Sequence, residues 1–378
     1  MAYFYSSVVL TYFSDIPSDG FSRPCVITDH GEIILAHGWN STSYQVFNPG
    51  IVHWFSSARD AVVGFVSCGK MRVVAGAPIC EFARLKDVAD EFENDAARDN
   101  KKVCYFCAEA RLESVYADSK THAKFLLGAQ PVWNPHGWAA IIAEHKSLRA
   151  QLNRARNKGV KVAEWTSEKA QNNLALVECL SEWLAAKGLP PLHFLVEPNT
   201  LGQLFDRRVF VAEQDEKVVG FVLLSPVTNR NGWLFEQFIH RPNAPNGTVE
   251  LMIDAAMREL AKSGYDYATL GLAPLSMRAN IEPFDNPLWL RVLFAWIRAH
   301  GRRFYNFEGL DNFKAKLQPE SWEPVFAISN EPKISFKTIY AIASAFSGNA
   351  PIRLFLSGLW RAFSTEMRWL KQRIVNRK

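Results

Sequence analysis

Lys217-Val-Val-Gly-Phe-Val-Leu-Leu224 reads as a buried strand, and the order of elements after it decides the fold. A second strand is expected over 232–239. A helix is expected from about Thr248 to Ser263, and a further strand over Tyr265-Asp-Tyr-Ala-Thr-Leu-Gly-Leu272. An earlier segment has the same order. Asp60-Ala-Val-Val-Gly-Phe-Val66 is a strand, residues 86–99 a polar helix, and Lys102-Val-Cys-Tyr-Phe-Cys-Ala108 a strand. Both segments contain Val-Val-Gly-Phe, at Val62–Phe65 and Val218–Phe221. Strand, helix and strand, met twice, predict an α/β (α+β) chain built from two related units. Leu251, Met252, Ala255, Ala256 and Leu260 fall at helical spacing. Thr248 is the expected N-cap of their helix, and Ser263-Gly264 its stop. Gly271 and Pro274 then form a loop at a strand end, where ligands of α/β sheets often sit.

A length of 378 residues allows two domains or one large one. Hydrophobic residues at 48% against charged residues at 21% exclude a wholly disordered chain. The 21 Gly and 19 Pro exclude a collagen-like or low-complexity architecture. Division is expected at 1–135, 136–330 and a tail at 331–378.

Six cysteines in a chain of this length are not a disulfide framework, and a reducing cytoplasm is expected. Cys104 and Cys107 stand at i, i+3 on a predicted strand, which would send them to opposite faces, so no shared metal is expected. The other residue spacings show no metal motif either, and none is predicted. Met1-Ala-Tyr-Phe-Tyr5 lacks the basic start and small-residue cleavage site of a signal peptide. No apolar run is long enough to predict a transmembrane helix.

Charge is placed unevenly. The net is +5, yet residues 333–378 alone hold nine Lys/Arg against Glu366, leaving the preceding 332 residues at −3. Within that tail, Ile334–Phe346 and Ile352–Ile374 mix Phe, Trp and Leu with cations. They read as helices that either lie on an anionic membrane or pack on the body with a solvated basic face. A second basic helix, His145 to Lys161 with a break at Gly159, carries Arg149, Arg154, Arg156 and Lys158. These cations suit a tRNA backbone or a lipid headgroup, or simply solvent. Arg291, among apolar neighbours in Leu-Trp-Leu-Arg-Val-Leu, calls for an anionic partner: a substrate phosphate or a buried internal carboxylate. His240, beside Arg241, is a candidate base whose alternative is a structural role.

Four stretches resemble one family. Arg302-Arg-Phe-Tyr-Asn-Phe-Glu-Gly-Leu-Asp-Asn-Phe-Lys-Ala-Lys316, running on to Ala327, resembles the C-terminal signature of bacterial phosphatidylglycerol lysyltransferases, the multiple peptide resistance factors. Gly271-Leu-Ala-Pro-Leu-Ser276, Ser147–Val160 and Pro245-Asn-Gly-Thr248 resemble three further motifs, in family order. The resemblance implies two tandem Gcn5-type N-acyltransferase-like domains. It also implies transfer of an aminoacyl group from charged tRNA to a lipid hydroxyl, with no cofactor beyond the aminoacyl-tRNA co-substrate. The chain is expected to lack the family's membrane-embedded half, which leaves the acceptor open, and stand-alone relatives differ in amino acid and acceptor, so lysine is not assumed. The place implied is peripheral, on the inner face of the cell membrane.

The resemblance also assigns residues. Lys314 and Lys316 match the family's lysines of the Phe-Lys-Ala-Lys motif, and one of them is expected to bind the tRNA 3′-terminal phosphate or the developing oxyanion, the alternative being a solvated pair on a helix. Glu236 stands where the family has an aspartate, as acceptor base or as ligand of the aminoacyl ammonium, the alternative being a structural ion pair; Arg291 joins them as a catalytic candidate. Gly271, Pro274, Ser276, Arg303, Tyr305 and Asn306 are expected to line the substrate site through their motifs. An acyl-CoA donor is not expected, because His240-Arg-Pro-Asn-Ala-Pro-Asn-Gly-Thr248 has one glycine and two prolines where a pyrophosphate turn needs backbone donors. Two other readings compete: transfer to a soluble or peptidoglycan-precursor acceptor, as in Fem-type enzymes, and a non-catalytic membrane- or RNA-binding module. The enzymatic reading fails if Glu236 stands far from both Lys314 and Lys316 with no cleft joining them.

Overall fold

The two Val-Val-Gly-Phe tetrapeptides occupy equivalent strands of one mixed sheet. The computed structural model describes residues 27–187, 192–279, 286–300 and 306–348. The basic segment Ile352–Ile374, with Arg303 and Tyr305, lies outside them. The first half runs α1 Ile27–His37, β1 Val52–Phe55, β2 Val62–Cys68, β3 Met71–Ala75, α2 Leu85–Arg98, β4 Lys102–Ala108, α3 Ala110–Val115 and β5 Ala123–Trp133. Next come α4 Trp138–Glu144, α5 Lys146–Arg156, β6 Lys161–Trp165, α6 Ser167–Ala170, α7 Leu174–Lys187, β7 Arg208–Gln214, β8 Lys217–Val227 and β9 Gly232–His240. The chain ends in α8 Thr248–Lys262, β10 Tyr267–Thr269, β11 Ala273–Pro274, α9 Leu288–His300, α10 Phe307–Lys316, β12 Ser321–Ser329 and α11 Phe336–Phe346, among the described residues.

Strand order is β1-β2-β3-β4-β12-β5-β10-β9-β8-β7-β6, with β11 added to β5. In each half an antiparallel hairpin, β2–β3 or β8–β9, leads into a helix that crosses to a parallel strand, β4 or β10. Helices cover both faces. Val88 and Phe92 of α2 pack on one face of the first half, and Ala341 and Ala345 of α11 on the other. In the second half Leu251, Met252 and Met257 of α8 face Leu176 and Leu180 of α7 across the sheet. Strand β12, made late in the chain, lies between β4 and β5 and so belongs to the sheet of the first half. Gly128 permits the next junction: its φ is +154°, and a Cβ there would stand 2.2 Å from the Ala273 carbonyl oxygen on β11.

Some local expectations change. Thr248 does not cap α8; its hydroxyl donates to the Pro245 carbonyl at 2.6 Å, and Gly247 is the N-cap, with φ +94°. Helix α5 stops at Arg156, where the Val160 N–H closes back on the Ala155 carbonyl, and Lys161 already opens β6. The long strand expected over 265–272 is only Tyr267–Thr269 before the chain turns away. Cys104 and Cys107 do not point to opposite faces. A φ of +64° at Cys107, across from a register shift at Phe326/Ala327, puts both thiols in one apolar cluster. Burial raises both thiol pKa values, and no metal-binding group of side chains occurs among the described residues. Among the described residues no helix is long and apolar enough to cross a membrane.

Candidate active site

The sheet forks between β9 and β10. Their parallel pairing ends at Leu234↔Thr269, after which β10 turns toward β5 through β11 while β9 runs on to His240 beside β8 alone. Residues 235–240 therefore present one backbone edge with no described strand against it. At the fork β9 also carries a bulge: Leu224 pairs with Phe235 and Leu223 with Gln237, leaving Glu236 as the extra residue. Its side chain is 2% exposed, so what solvent it meets is met by its backbone.

Lys314 closes the fork from the β10 side. Its ammonium donates to the carbonyls of Leu270, Gly271 and Leu272 at 2.7, 2.8 and 2.8 Å, the groups that lose ladder partners where the strands part. The residue is 3% exposed, and burial pushes its pKa down from 10.5 to about 7. Lys314 is thus a buried clamp on the Gly271 loop, and its donors are committed to backbone.

Lys316, two residues on, faces a different space. A cleft of about 360 Å³ lies between α5, the end of β9, the first turn of α8 and α10; Gln151, Arg154, His240, Asn246, Glu250 and Lys316 supply its polar wall. Lys316 pairs with Glu250 and lies 4.8 Å from the Phe313 ring centroid. His240 bonds the Arg241 carbonyl at 3.0 Å through Nδ1. The cleft needs Gly247, since a Cβ there would meet the Gln151 carbonyl oxygen at 2.1 Å and force α5 away from α8. Cations, a histidine and the positive end of a 15-residue helix converge here, an arrangement that receives anions.

Glu236 does not line this cleft beside Lys316; it sits in the bulge at the fork, whose other side Lys314 holds. Phe235 and Phe238 face the α8 side, whereas Glu236 turns to Arg207 and Gln237 bonds the Glu197 carbonyl. Arg207 Nε lies 3.0 Å from Glu236 Oε2, both side chains are 2% exposed, and the guanidinium also bonds Asn48 Oδ1 at 3.2 Å and the Gln203 carbonyl at 2.8 Å. The carboxylate thus sits in a satisfied buried ion pair.

The basic helix divides by contact. Arg149 bonds the carbonyls of Ile142 and Ala143 at the end of α4, and Arg156 pairs with buried Asp254 at 2.8 Å. Only Arg154 of the four lines the cleft; Lys158 is exposed. Arg291 is exposed on α9, not buried with an internal partner. Asn306 caps α10 by accepting the Gly309 N–H at 3.0 Å. Gly271 is held by Lys314, Pro274 pairs with Gly128, and buried Ser276 accepts the Arg278 N–H at 3.3 Å, so this motif shapes the loop beside the fork.

Sequence reasoning missed Arg207 and Glu250, whose partners are distant along the chain. It also missed a part-buried cluster where the two halves join. There Arg230 bonds Glu323 Oε2 at 2.8 Å and Glu109 Oε2 at 3.4 Å, with its guanidinium 3.8 Å from the Tyr267 ring centroid. Glu109 accepts two bonds of 2.7 Å from Ser41, and burial raises its pKa to about 7.

A family model for the C-terminal region of phosphatidylglycerol lysyltransferase matches residues 32–329. The phosphatidylglycerol lysyltransferase of Bacillus subtilis (strain 168) is 23% identical over 290 residues, covering 75% of this chain and 33% of that protein. The chain thus spans about a third of the length of that relative. The fold is that of the C-terminal domain of a putative lysylphosphatidylglycerol synthetase from Agrobacterium fabrum, with a TM-score of 0.71, 20% identity, and 85% and 97% of the two chains covered. It is likewise that of L-PGS from Bacillus licheniformis, with a TM-score of 0.69, 21% identity, and 84% and 94% covered. The chain belongs to the family of the phosphatidylglycerol lysyltransferase C-terminal region.

Proposed function

We propose that this protein moves an aminoacyl group from charged tRNA to a hydroxyl of a phosphatidylglycerol-like membrane lipid, working at the inner face of the membrane. The ester of aminoacyl-tRNA is already activated. The acceptor oxygen forms the new acyl bond as the bond to the ribose oxygen breaks, and the acceptor's proton ends on that ribose oxygen. Such an exchange needs orientation and a positive field, with no further cofactor.

The observation that carries the reading is the fork, where an open backbone edge of β9 adjoins a cationic cleft. Arg154, Lys316 and the start of α8 would hold the 3′-terminal phosphates, with Glu250 restraining Lys316 between turnovers. His240, at the cleft end of the open edge, is the residue best placed to meet the acceptor proton. Lys314 and the Arg207–Glu236 pair would act by position: one holds the Gly271 loop, the other the bulge that keeps the fork open. Glu236 is therefore assigned to shaping the site rather than to proton transfer.

Incubating the protein with a mixture of radiolabelled charged tRNAs and phosphatidylglycerol vesicles tests the proposal. Label passing into the organic-soluble fraction only when the lipid is present supports it. Label confined to a new aqueous product favours a soluble or peptidoglycan-type acceptor, and no transfer to either fraction leaves a binding module.

A further inference from the structure

We propose that the face formed by α9 and α11 is the surface by which this protein docks on an anionic lipid bilayer. Large apolar side chains stand in solvent there: Leu288 is 74% exposed, Val292 60%, Phe336 69% and Tyr340 52%. Their spacing is i, i+4 on each helix, so each pair forms one stripe. Trp289 on α9 packs against Phe336 on α11 with ring centroids 4.3 Å apart, which brings the two stripes side by side. An apolar surface of this kind is costly to leave in water and marks a contact with another phase or molecule.

Its charges name the partner. Arg291, Lys333 and Lys337 are exposed along the same two helices and the turn before α11. Neither α9 nor α11 contains an acidic residue. The nearest acid before α11, Glu331, is turned inward, accepting the Thr338 hydroxyl at 2.8 Å. The sequence continuing after α11 adds seven Lys/Arg and only Glu366, so the positive sign is kept past the helix. Leucine, valine and phenylalanine beside cations, with Trp and Tyr among them, match a bilayer interface: apolar groups enter below the headgroups while cations meet lipid phosphates. A water-facing helix of a soluble domain would instead carry charges of both signs and bury its aromatics. The surface shares no residue with the cleft lining, and its exposure and charge mark it independently of the reaction proposed above.

Flotation of the full chain with vesicles, without tRNA, tests the inference, so a failure of the transfer reaction leaves the result intact. The parent is expected to float with phosphatidylcholine vesicles containing about one third phosphatidylglycerol, to float poorly with phosphatidylcholine alone, and to be released by salt. Val292→Glu/Tyr340→Glu, two exposed positions, is expected to keep the parent's thermal midpoint and lose at least about tenfold in vesicle affinity. Lys333→Gln/Lys337→Gln should lose about fivefold per cation, and only toward the anionic vesicles. Equal flotation of parent and Val292→Glu/Tyr340→Glu overturns the proposal, as does indifference to lipid charge. A parent dimer that Val292→Glu/Tyr340→Glu dissociates, with vesicle binding unchanged, assigns the face to a second copy and overturns it as well.

Discussion

Arg207 and Glu236 meet at 3.0 Å with both side chains 2% exposed, and their pairing fixes a bulge at the point where the sheet opens. A charge so enclosed is expensive to strand. Glu236→Gln leaves Arg207 without its counter-ion and should cost about 3–5 kcal/mol in urea unfolding. The double change Arg207→Met/Glu236→Leu should return most of that stability. Transfer should stay low in the double variant, because an apolar pair does not hold the bulge in the same register. Full transfer there would dissociate the pair from the site.

Lys314 offers a second case of action by position. Lys314→Met removes the donor from three carbonyls, those of Leu270, Gly271 and Leu272. A loss of about 2–4 kcal/mol is expected from unpaired buried acceptors. In kinetics, kcat should fall with little change in the salt dependence of tRNA binding, since the ammonium faces backbone and not the cleft.

The cleft cations should behave in the opposite way. Arg154→Ala should change stability by no more than about 0.5 kcal/mol, whereas Lys316→Ala also strands the carboxylate of Glu250, whose side chain is 10% exposed, and should cost about 1–3 kcal/mol. Each should weaken tRNA binding and flatten the slope of log affinity against log salt by about 0.7 for each single-stranded phosphate contact removed. Arg149→Ala, which frees the carbonyls at the end of α4, should lower stability and leave the slope alone. Binding isotherms at several salt concentrations separate the two kinds of cation.

Glu109 predicts a pH effect. Its pKa rises from 4.5 to about 7 on folding, because burial outweighs the help of Arg230 and Ser41. The folded state then binds the extra proton between those values, so this group's contribution to stability falls as pH rises from about 4.5 to about 7 and is level above. Glu109→Gln should flatten that part of the stability profile, measured by denaturant unfolding at closely spaced pH values.

Much of the fold was legible because its main repeat is local. Val62–Phe65 and Val218–Phe221 each begin a hairpin, helix and parallel strand, and periodicity reports such units directly. The site was less legible for the opposite reason. Lys316 and Glu250, Arg207 and Glu236, and Arg230 with Glu109 are neighbours only across the fold, and no spacing in the sequence announces them. A bulge at Glu236 and a φ of +64° at Cys107 also break the two-residue alternation on which face assignments depend. Charge alone misled at Arg149 and Arg156, which serve a helix end and a buried aspartate.

The placement of β12 has a consequence for biosynthesis. While a ribosome is still making the second half, β4 and β5 have emerged but the strand that pairs with both has not. The nascent chain therefore waits with two raw strand edges, the kind of surface that invites wrong partners, until Ser321–Ser329 arrives to stitch it shut. Maturation of this molecule is thus gated by the arrival of β12, and a stop codon shortly before it would yield an aggregate rather than a smaller working unit.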